Sequence, residues 1–374
     1  MAKLKTAFIY DESMAAHVLR SDHPMKPIRI KNTYELLYAY GAFDSDHYVV
    51  RPRPATGREL QTFHTLEYIS AVESLSQGSH GFDPGNYNFS LTGDNPYFSG
   101  MYESALISTG GSIVGAELLC EGTVNRAFNI GGGLHHAAAD RSSGFCVFND
   151  PVIAINYFLD RGMRVAYIDI DCHHGDGVQN AYYDSDQVLT ISIHESGKYL
   201  FPGTGFPDEN GVGPGRGYSV NIPLFPFTDD ETYLRIFREL IIPVVQAFAP
   251  DVITTQLGID THYKDPITHL QLTSKAFSAI VKEFADFEKP WLAMGGGGYD
   301  IGAVARCWTL AYGVMIDREW PNDIPLDYAR QNGFNLLRDE YVPCSQPDLR
   351  EQIEKHASKV SEEVKASIFS YHGL

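Results

Sequence analysis

Arg164-Val-Ala-Tyr-Ile-Asp-Ile-Asp171 is an apolar run that ends in carboxylates, and Cys172-His173-His174-Gly175-Asp176 follows it directly. The run has the length and composition of a buried strand. Its last residues carry charge that no core tolerates unpaired. In an extended chain residues two apart project to the same side, so Asp171 and His173 leave the strand end together and Cys172 faces the other way. A carboxylate oxygen beside an imidazole nitrogen is half of a divalent-metal site. Taken alone, the pair is equally well explained as a structural ion pair, so the rest of the chain has to decide.

Further strand-like runs are Lys5–Tyr10, Ala127–Ile130, Val165–Ile170, Val188–Ile193, Ser219–Ile222, Val252–Leu257 and Trp291–Met294. Amphipathic stretches separate them, among them Glu103–Cys120, Pro151–Arg161, Asp230–Phe248 (with a kink expected at Pro243) and Ser274–Phe287. Such alternation predicts an α/β fold, a mostly parallel sheet with helices on both faces. Gly78–Asp94 and Phe201–Gly217 are rich in glycine and proline and read as long surface loops. Ile353, Val360, Val364 and Ile368 recur at helical spacing, which predicts a docked C-terminal helix over about 348–370. No linker or repeat divides the chain, so residues 1–374 read as a single domain.

Open α/β sheets bind ligands beyond the carboxyl ends of their strands. Four strand ends carry polar groups here. They are followed by Gly131-Gly-Gly-Leu-His135-His136, Asp171-Cys-His173-His-Gly-Asp176, Gly258-Ile-Asp260-Thr-His262 and Gly295-Gly-Gly-Gly-Tyr299. The glycines let backbone approach closely. They do not form the G-x-G-x-x-G pattern with a distant ribose acid, which excludes a dinucleotide site.

Composition narrows the function class. Hydrophobic residues make up 44% and charged residues 20%, as in a folded globular protein. The net charge of −18, from 29 basic and 47 acidic residues, speaks against nucleic acid and is compatible with cationic substrates or simple solubility. No run has the roughly 18 apolar residues of a membrane span, and the opening Met1–Tyr10 lacks a secretory leader, so the expectation is a cytoplasmic enzyme. Cys120, Cys146, Cys172, Cys307 and Cys344 are odd in number, widely spaced and without a CxxC pair, which indicates neither a disulfide framework nor a thiolate zinc site; Cys172 reads as a reduced packing residue.

Taken together, Gly131-Gly-Gly-Leu-His-His-Ala137, Gly144-Phe-Cys-Val-Phe-Asn-Asp150, Tyr167-Ile-Asp-Ile-Asp-Cys-His-His-Gly-Asp-Gly177, Gln256-Leu-Gly-Ile-Asp260 and Gly295-Gly-Gly-Gly-Tyr299 resemble the zinc-dependent histone deacetylase family. The likeness is nearest to class I and bacterial acetoin-utilisation deacetylases, and runs from Arg51-Pro-Arg-Pro-Ala-Thr56 to Ala305-Arg-Cys-Trp308. It implies an arginase-like fold with a largely parallel eight-stranded sheet and one catalytic metal, zinc or alternatively iron(II). Carried over residue by residue, it implies Asp171, His173 and Asp260 as metal ligands. Three protein ligands leave a position for water. Two of them are anionic, so that water should be less acidified than at an all-histidine site, where its pKa falls to about 7. A separate base is then useful. The resemblance supplies His136 as principal base and acid, His135 as its partner and proton donor, and Asp169 and Asp176 to orient the pair. Tyr299 corresponds to the phenol that polarises the scissile carbonyl.

The resemblance further implies a substrate tunnel flanked by Phe145 and Phe201, with Gly144 in its wall and Ile267 at its rim. Asp94 corresponds to a rim carboxylate that grips substrate backbone, and Arg29 to an arginine in a product-release cavity. Structural potassium is implied at Asp169, Asp171, His173, Ser192 and Ile193, and at Tyr182, Ser185, Val188 and Tyr218. The expected reaction is hydrolysis of an Nε-acyl-lysine amide in proteins or peptides. The alternatives are an acetylpolyamine amidohydrolase acting on small acetylated amines, and a dinuclear arginase-like amidinohydrolase. The last needs extra bridging carboxylates, and His174 and His262 stand where these would fall. They and His194 are expected to be structural. The sequence carries no signal for oligomeric state.

Overall fold

The computed structural model describes residues 4–15, 19–79, 81–343 and 346–374. Cys344 and residues 1–3 of the chain start lie outside them. Eight strands form one sheet: β1 Thr6–Ile9, β2 His47–Val50, β3 Arg126–Asn129, β4 Val165–Asp169, β5 Val188–Glu195, β6 Ser219–Leu224, β7 Val252–Gln256 and β8 Trp291–Met294. Their order is β2-β1-β3-β8-β7-β4-β5-β6, and every neighbouring pair is parallel.

Parallel neighbours need a crossover between them, and helices provide it. Every residue of β4, β5, β7 and β8 is buried. Because alternate side chains point to opposite faces, both faces of the sheet must be covered. The helix Met101–Cys120 packs on β3, β8 and the helix Asp150–Leu159, whereas Ile28–Ala39, Ile301–Met315 and Ser274–Asp286 form a packed series of their own. A second, smaller core gathers Tyr68, Tyr87, Phe89, Met101 and Phe148 beneath the loop that carries Asp94.

Two expectations needed adjustment. The edge strand β2 was not foreseen, since four residues, none of them fully buried, give little alternation to read. The stretch 230–248 is three segments, Asp230–Ile236, a π-helical Phe237–Ile241 and Ile242–Phe248. Pro243 has no N–H to offer the preceding turn, so the disturbance falls on its N-terminal side. The C-terminal helix Pro347–Ile368 docks against β6 through Ile353, Val360, Val364 and Ile368, as the spacing predicts.

Candidate metal centre and tunnel

The four strands whose ends carry polar groups, β3, β8, β7 and β4, are consecutive neighbours at the middle of the sheet. Their loops therefore converge. Asp171, His173 and Asp260 are buried, and their ligand atoms all lie within 4.8 Å of one another. His173 Nδ1 is 3.1 Å from Asp171 Oδ1 and 3.0 Å from Asp260 Oδ2. The outward-facing oxygens are occupied too. Gln256 Nε2 and the Gly297 N–H donate to Asp171 Oδ2 at 2.7 and 2.9 Å, and the Cys172 N–H donates to Asp260 Oδ1 at 2.7 Å. A side chain at Gly297 would collide with both carboxylates. The glycine run is thus what lets β8 close over the site.

The charge balance fits a cation. Burial, then the negative Asp171, push the Asp260 carboxyl up. Burial alone would lower His173, but its hydrogen bonds to Asp171 and Asp260 raise it to about 10. Two carboxylates out of water thus share one imidazole in direct contact, with His135 Nε2 4.0 Å from Asp171 behind it. The two-oxygen, one-nitrogen donor set suits a divalent ion that keeps a free position. This is the one such group of His, Cys, Asp and Glu among the described residues. A second metal centre of the arginase kind lacks its ligands, because His174 turns to Thr204 and Gln179 at 2.9 and 3.2 Å and His262 to Asp339 at 2.9 Å.

Beside the triad, His135 Nε2 and His136 Nε2 are 3.0 Å apart. Each ring is held from behind, His135 Nδ1 by Asp169 at 2.6 Å and His136 Nδ1 by Asp176 at 2.7 Å. The loop beneath them is fixed by Asn149, whose amide donates to the carbonyls of His135 and Ala137, and by Asp150, which accepts the N–H groups of Gly133 and Leu134. The two imidazoles are driven apart electrostatically. Burial lowers both, yet Asp169 and Asp171 raise His135 to about 9. Burial together with the His135 charge brings His136 down to about 4. A cation at the triad would pull both downward.

A cleft of about 200 Å³ leads to this floor, lined by Asp94, Gly144, Phe145, Phe201, Ile267 and Tyr299 together with His136 and His173. The Phe201 ring stands edge-on to His136 at 5.1 Å, and Phe145 edge-on to Tyr299 at 5.9 Å. Gly144 (φ +50°) lies against the His136 ring, where a Cβ would collide. Phe145 takes a left-handed conformation (φ 70°), held by its N–H to Asn95 Oδ1 at 2.8 Å. Burial and the carboxylates of Asp260 and Asp171 keep the Tyr299 phenol protonated, well above its ordinary pKa. Arg29 lines a separate, mostly apolar cavity of about 100 Å³ with Met14, Met25, Ile30 and Leu134. Its guanidinium donates to the carbonyls of Gly298 and Gly296 at 2.9 and 2.6 Å.

Comparison with known proteins agrees with this geometry. The family model described as histone deacetylase domain matches residues 23–315. The chain belongs to the histone deacetylase family. It is 40% identical to the acetoin utilization protein AcuC of Bacillus subtilis over 96% of this chain and 97% of that protein. It is also 40% identical to histone deacetylase 1 of Bos taurus, over 88% of this chain and 69% of that one. Histone deacetylase B of Dictyostelium discoideum is 40% identical over 90% of this chain and 81% of its own length. The chain is accordingly a deacetylase-family hydrolase with the α/β fold expected of it.

Of the remaining positions expected for this family, Asp169 on β4 pairs in register with Ser192 on β5, and Ile193 follows it. The Ser192 hydroxyl is bonded to His194 Nδ1 at 2.8 Å. Tyr182 and Ser185 share a turn through a 3.0 Å backbone bond, and the Tyr218 carbonyl accepts from Thr190 N–H, two residues along β5 from Val188. Cys120, Cys146, Cys172 and Cys307 are free thiols, and Cys172 turns away from the ligand pair toward Glu195. The sequence reading assigned no role to Gln256, Asn149, Asp150 or Asp265. Gln256 lies within a quoted motif, but an amide donor on a ligand's outer oxygen has no signature of its own.

Proposed function

We propose that this protein hydrolyses the amide of Nε-acetyl-lysine, or of a related acyl-lysine, in proteins or peptides, with residues 1–374 as one cytoplasmic catalytic unit. The observation that carries the reading is the triad Asp171, His173 and Asp260, with a carboxylate-backed histidine pair and a protonated tyrosine, at the floor of a narrow aromatic-walled cleft. The cleft suits a slender acyl-lysine stem, and Asp94, exposed in its lining, would accept hydrogen bonds from substrate backbone amides.

Asp171, His173 and Asp260 would hold a divalent metal, zinc in preference to iron(II), which would supply Lewis acidity for the scissile carbonyl and a water molecule. His136 takes the water's proton at Nε2, with Asp176 holding Nδ1 and so fixing the ring and its tautomer. The Tyr299 O–H donates to the oxyanion as the carbonyl becomes tetrahedral. A protonated histidine of the 3.0 Å pair then delivers a proton to the departing amine. Phe145 and Phe201 align the stem between them, and Arg29 lines the route by which the acid leaves. Potassium at Asp169, Asp171, His173, Ser192 and Ile193, and at Tyr182, Ser185, Val188 and Tyr218, would stiffen the loops behind the ligands.

The test is a panel of acyl-lysine peptides and acetylpolyamines, assayed with and without a chelator. Turnover of peptides that stops on chelation and returns with zinc is expected. A clear preference for acetylpolyamines would replace protein lysine by small amines as the substrate class. Full turnover in chelator would remove the metal-dependent reading.

A further inference from the structure

The oxyanion tyrosine sits at the end of four consecutive glycines, Gly295–Gly298, two of them at φ +110° and +121°. Such a turn has little stiffness of its own. What holds Tyr299 has to come from elsewhere. Arg29 grips the carbonyls of Gly296 and Gly298 on one side. On the other side Asp300 caps the helix Ile301–Met315 through the Ala303 N–H at 2.7 Å. The main chain of Tyr299 itself is held by a residue from a different loop, Asp265, whose Oδ2 accepts the Tyr299 N–H at 2.8 Å.

The same carboxylate does a second thing. Its Oδ1 accepts the N–H of Ile267, the rim residue, at 3.1 Å. Asp265 is buried, and its own N–H donates to the His262 carbonyl at 2.8 Å. The segment that follows is pinned at both remaining positions. The Thr268 hydroxyl donates to the carbonyl of Asp260, and the His269 N–H to Glu195 Oε2 at 3.0 Å. One carboxylate therefore joins the loop after β7, which carries Asp260, to the loop after β8, which carries Tyr299.

We infer that Asp265 is a positioning residue for Tyr299: it fixes the phenol against the reacting carbonyl and sets the rim at Ile267 in the same geometry. The inference rests on the oxyanion role proposed above for Tyr299. Asp265 neither lines the cleft nor belongs to the ligand triad; it acts through the tyrosine's main chain. Asp265→Asn keeps the size but leaves an amide N–H facing a backbone N–H on one side, so that one of the two bonds is lost. A displacement near 1 Å at a reacting group costs on the order of 100-fold.

A double-mutant cycle tests this, read on an Nε-acetyl-lysine peptide with zinc-loaded enzyme. Asp265→Asn is expected to lower kcat about 10- to 100-fold with KM changed by less than about threefold, as for an interaction made in the transition state. In a Tyr299→Phe background the same substitution is expected to cost less than about twofold, because the group it positions is already gone. Zinc stoichiometry and the far-ultraviolet dichroism should match the parent in each variant. If Asp265→Asn folds poorly, Asp265→Ser, which keeps a hydroxyl acceptor, enters the same cycle. Unchanged kcat in a folded Asp265 variant overturns the inference, and so does an equal loss with and without the phenol. A fully active Tyr299→Phe enzyme sinks the oxyanion role first and this inference with it, which tells the two failures apart.

Discussion

Asp260 and His262 are two residues apart, yet they belong to two buried charge clusters of opposite character. Asp260 joins Asp171 and His173, where titratable imidazoles, His173 in direct contact and His135 at 4.0 Å from Asp171, are the side chains set against two carboxylates. His262 joins Asp339, whose carboxylate is held by Arg306 at 2.9 Å, by His262 at 2.9 Å and by the Ser274 N–H at 2.8 Å. Both clusters are nearly closed to solvent. The difference is the cation. A guanidinium stays charged at any accessible pH, so the Asp339 cluster is complete from the protein's own parts. The triad is not, and a buried site short of positive charge is where a metal ion can contribute most. Burial of acidic groups alone does not mark a functional centre; the missing counter-charge does.

That contrast breaks down if both clusters respond alike to mutation. Asp260→Ala should give the largest effect. Loss of partners behind a ligand already costs about 10–100-fold in metal affinity, so loss of the ligand should exceed this and abolish turnover, as read by zinc stoichiometry and peptide assay. Next come the groups that handle protons. His136→Ala should lower kcat by about 10²–10⁴-fold, and Tyr299→Phe by about 10²–10³-fold with metal retained. Near-normal turnover in either variant would remove that residue from the mechanism. Arg306→Ala, in the other cluster, should instead leave zinc binding intact and destabilise the fold by about 3–5 kcal/mol, the cost of stranding one member of a buried pair. Denaturant midpoints measure it, and a loss of zinc without a loss of stability would merge the two clusters into one.

How much of this could be read from the chain depended on whether a signal was local. Strands such as Val165–Asp169 and Trp291–Met294 are continuous apolar runs, and their neighbours in sequence showed which side chains leave at the strand ends. The candidate ligand and histidine positions stood out because their motifs are short and polar where a core should be apolar. Asp265 was not. In Asp265-Pro-Ile267 an aspartate before proline reads as an ordinary turn, and its partner at Tyr299 lies beyond the helix Ser274–Asp286 and the whole of β8. The Arg306–Asp339 pair escaped notice for the same reason, since nothing near either residue announces the other. The edge strand β2 was missed because a sheet margin half exposed to water carries neither the alternation nor the apolar run of a central strand.

The smallest effect concerns acid. Burial alone would raise the Asp339 carboxyl, but His262 and then Arg306 overcome it and hold the group well below the ordinary carboxylate range. A carboxylate depressed on folding stabilises the native state above its unfolded pKa, about 3.9 for aspartate. That contribution fades as pH falls from there through the lower folded value, because the unfolded chain takes up the proton first. The difference in stability between the parent protein and Asp339→Asn should therefore be smaller at pH 3 than at pH 5, shrinking below about 4. Urea midpoints of the two proteins at pH 7, 5 and 3 give that difference directly, with the acid response of groups remote from Asp339 subtracted. A gap that stays constant down to pH 3, or widens, would mean that Asp339 is not held as an ion against Arg306, and the distinction between a self-neutralised cluster and one awaiting a metal would lose its physical basis.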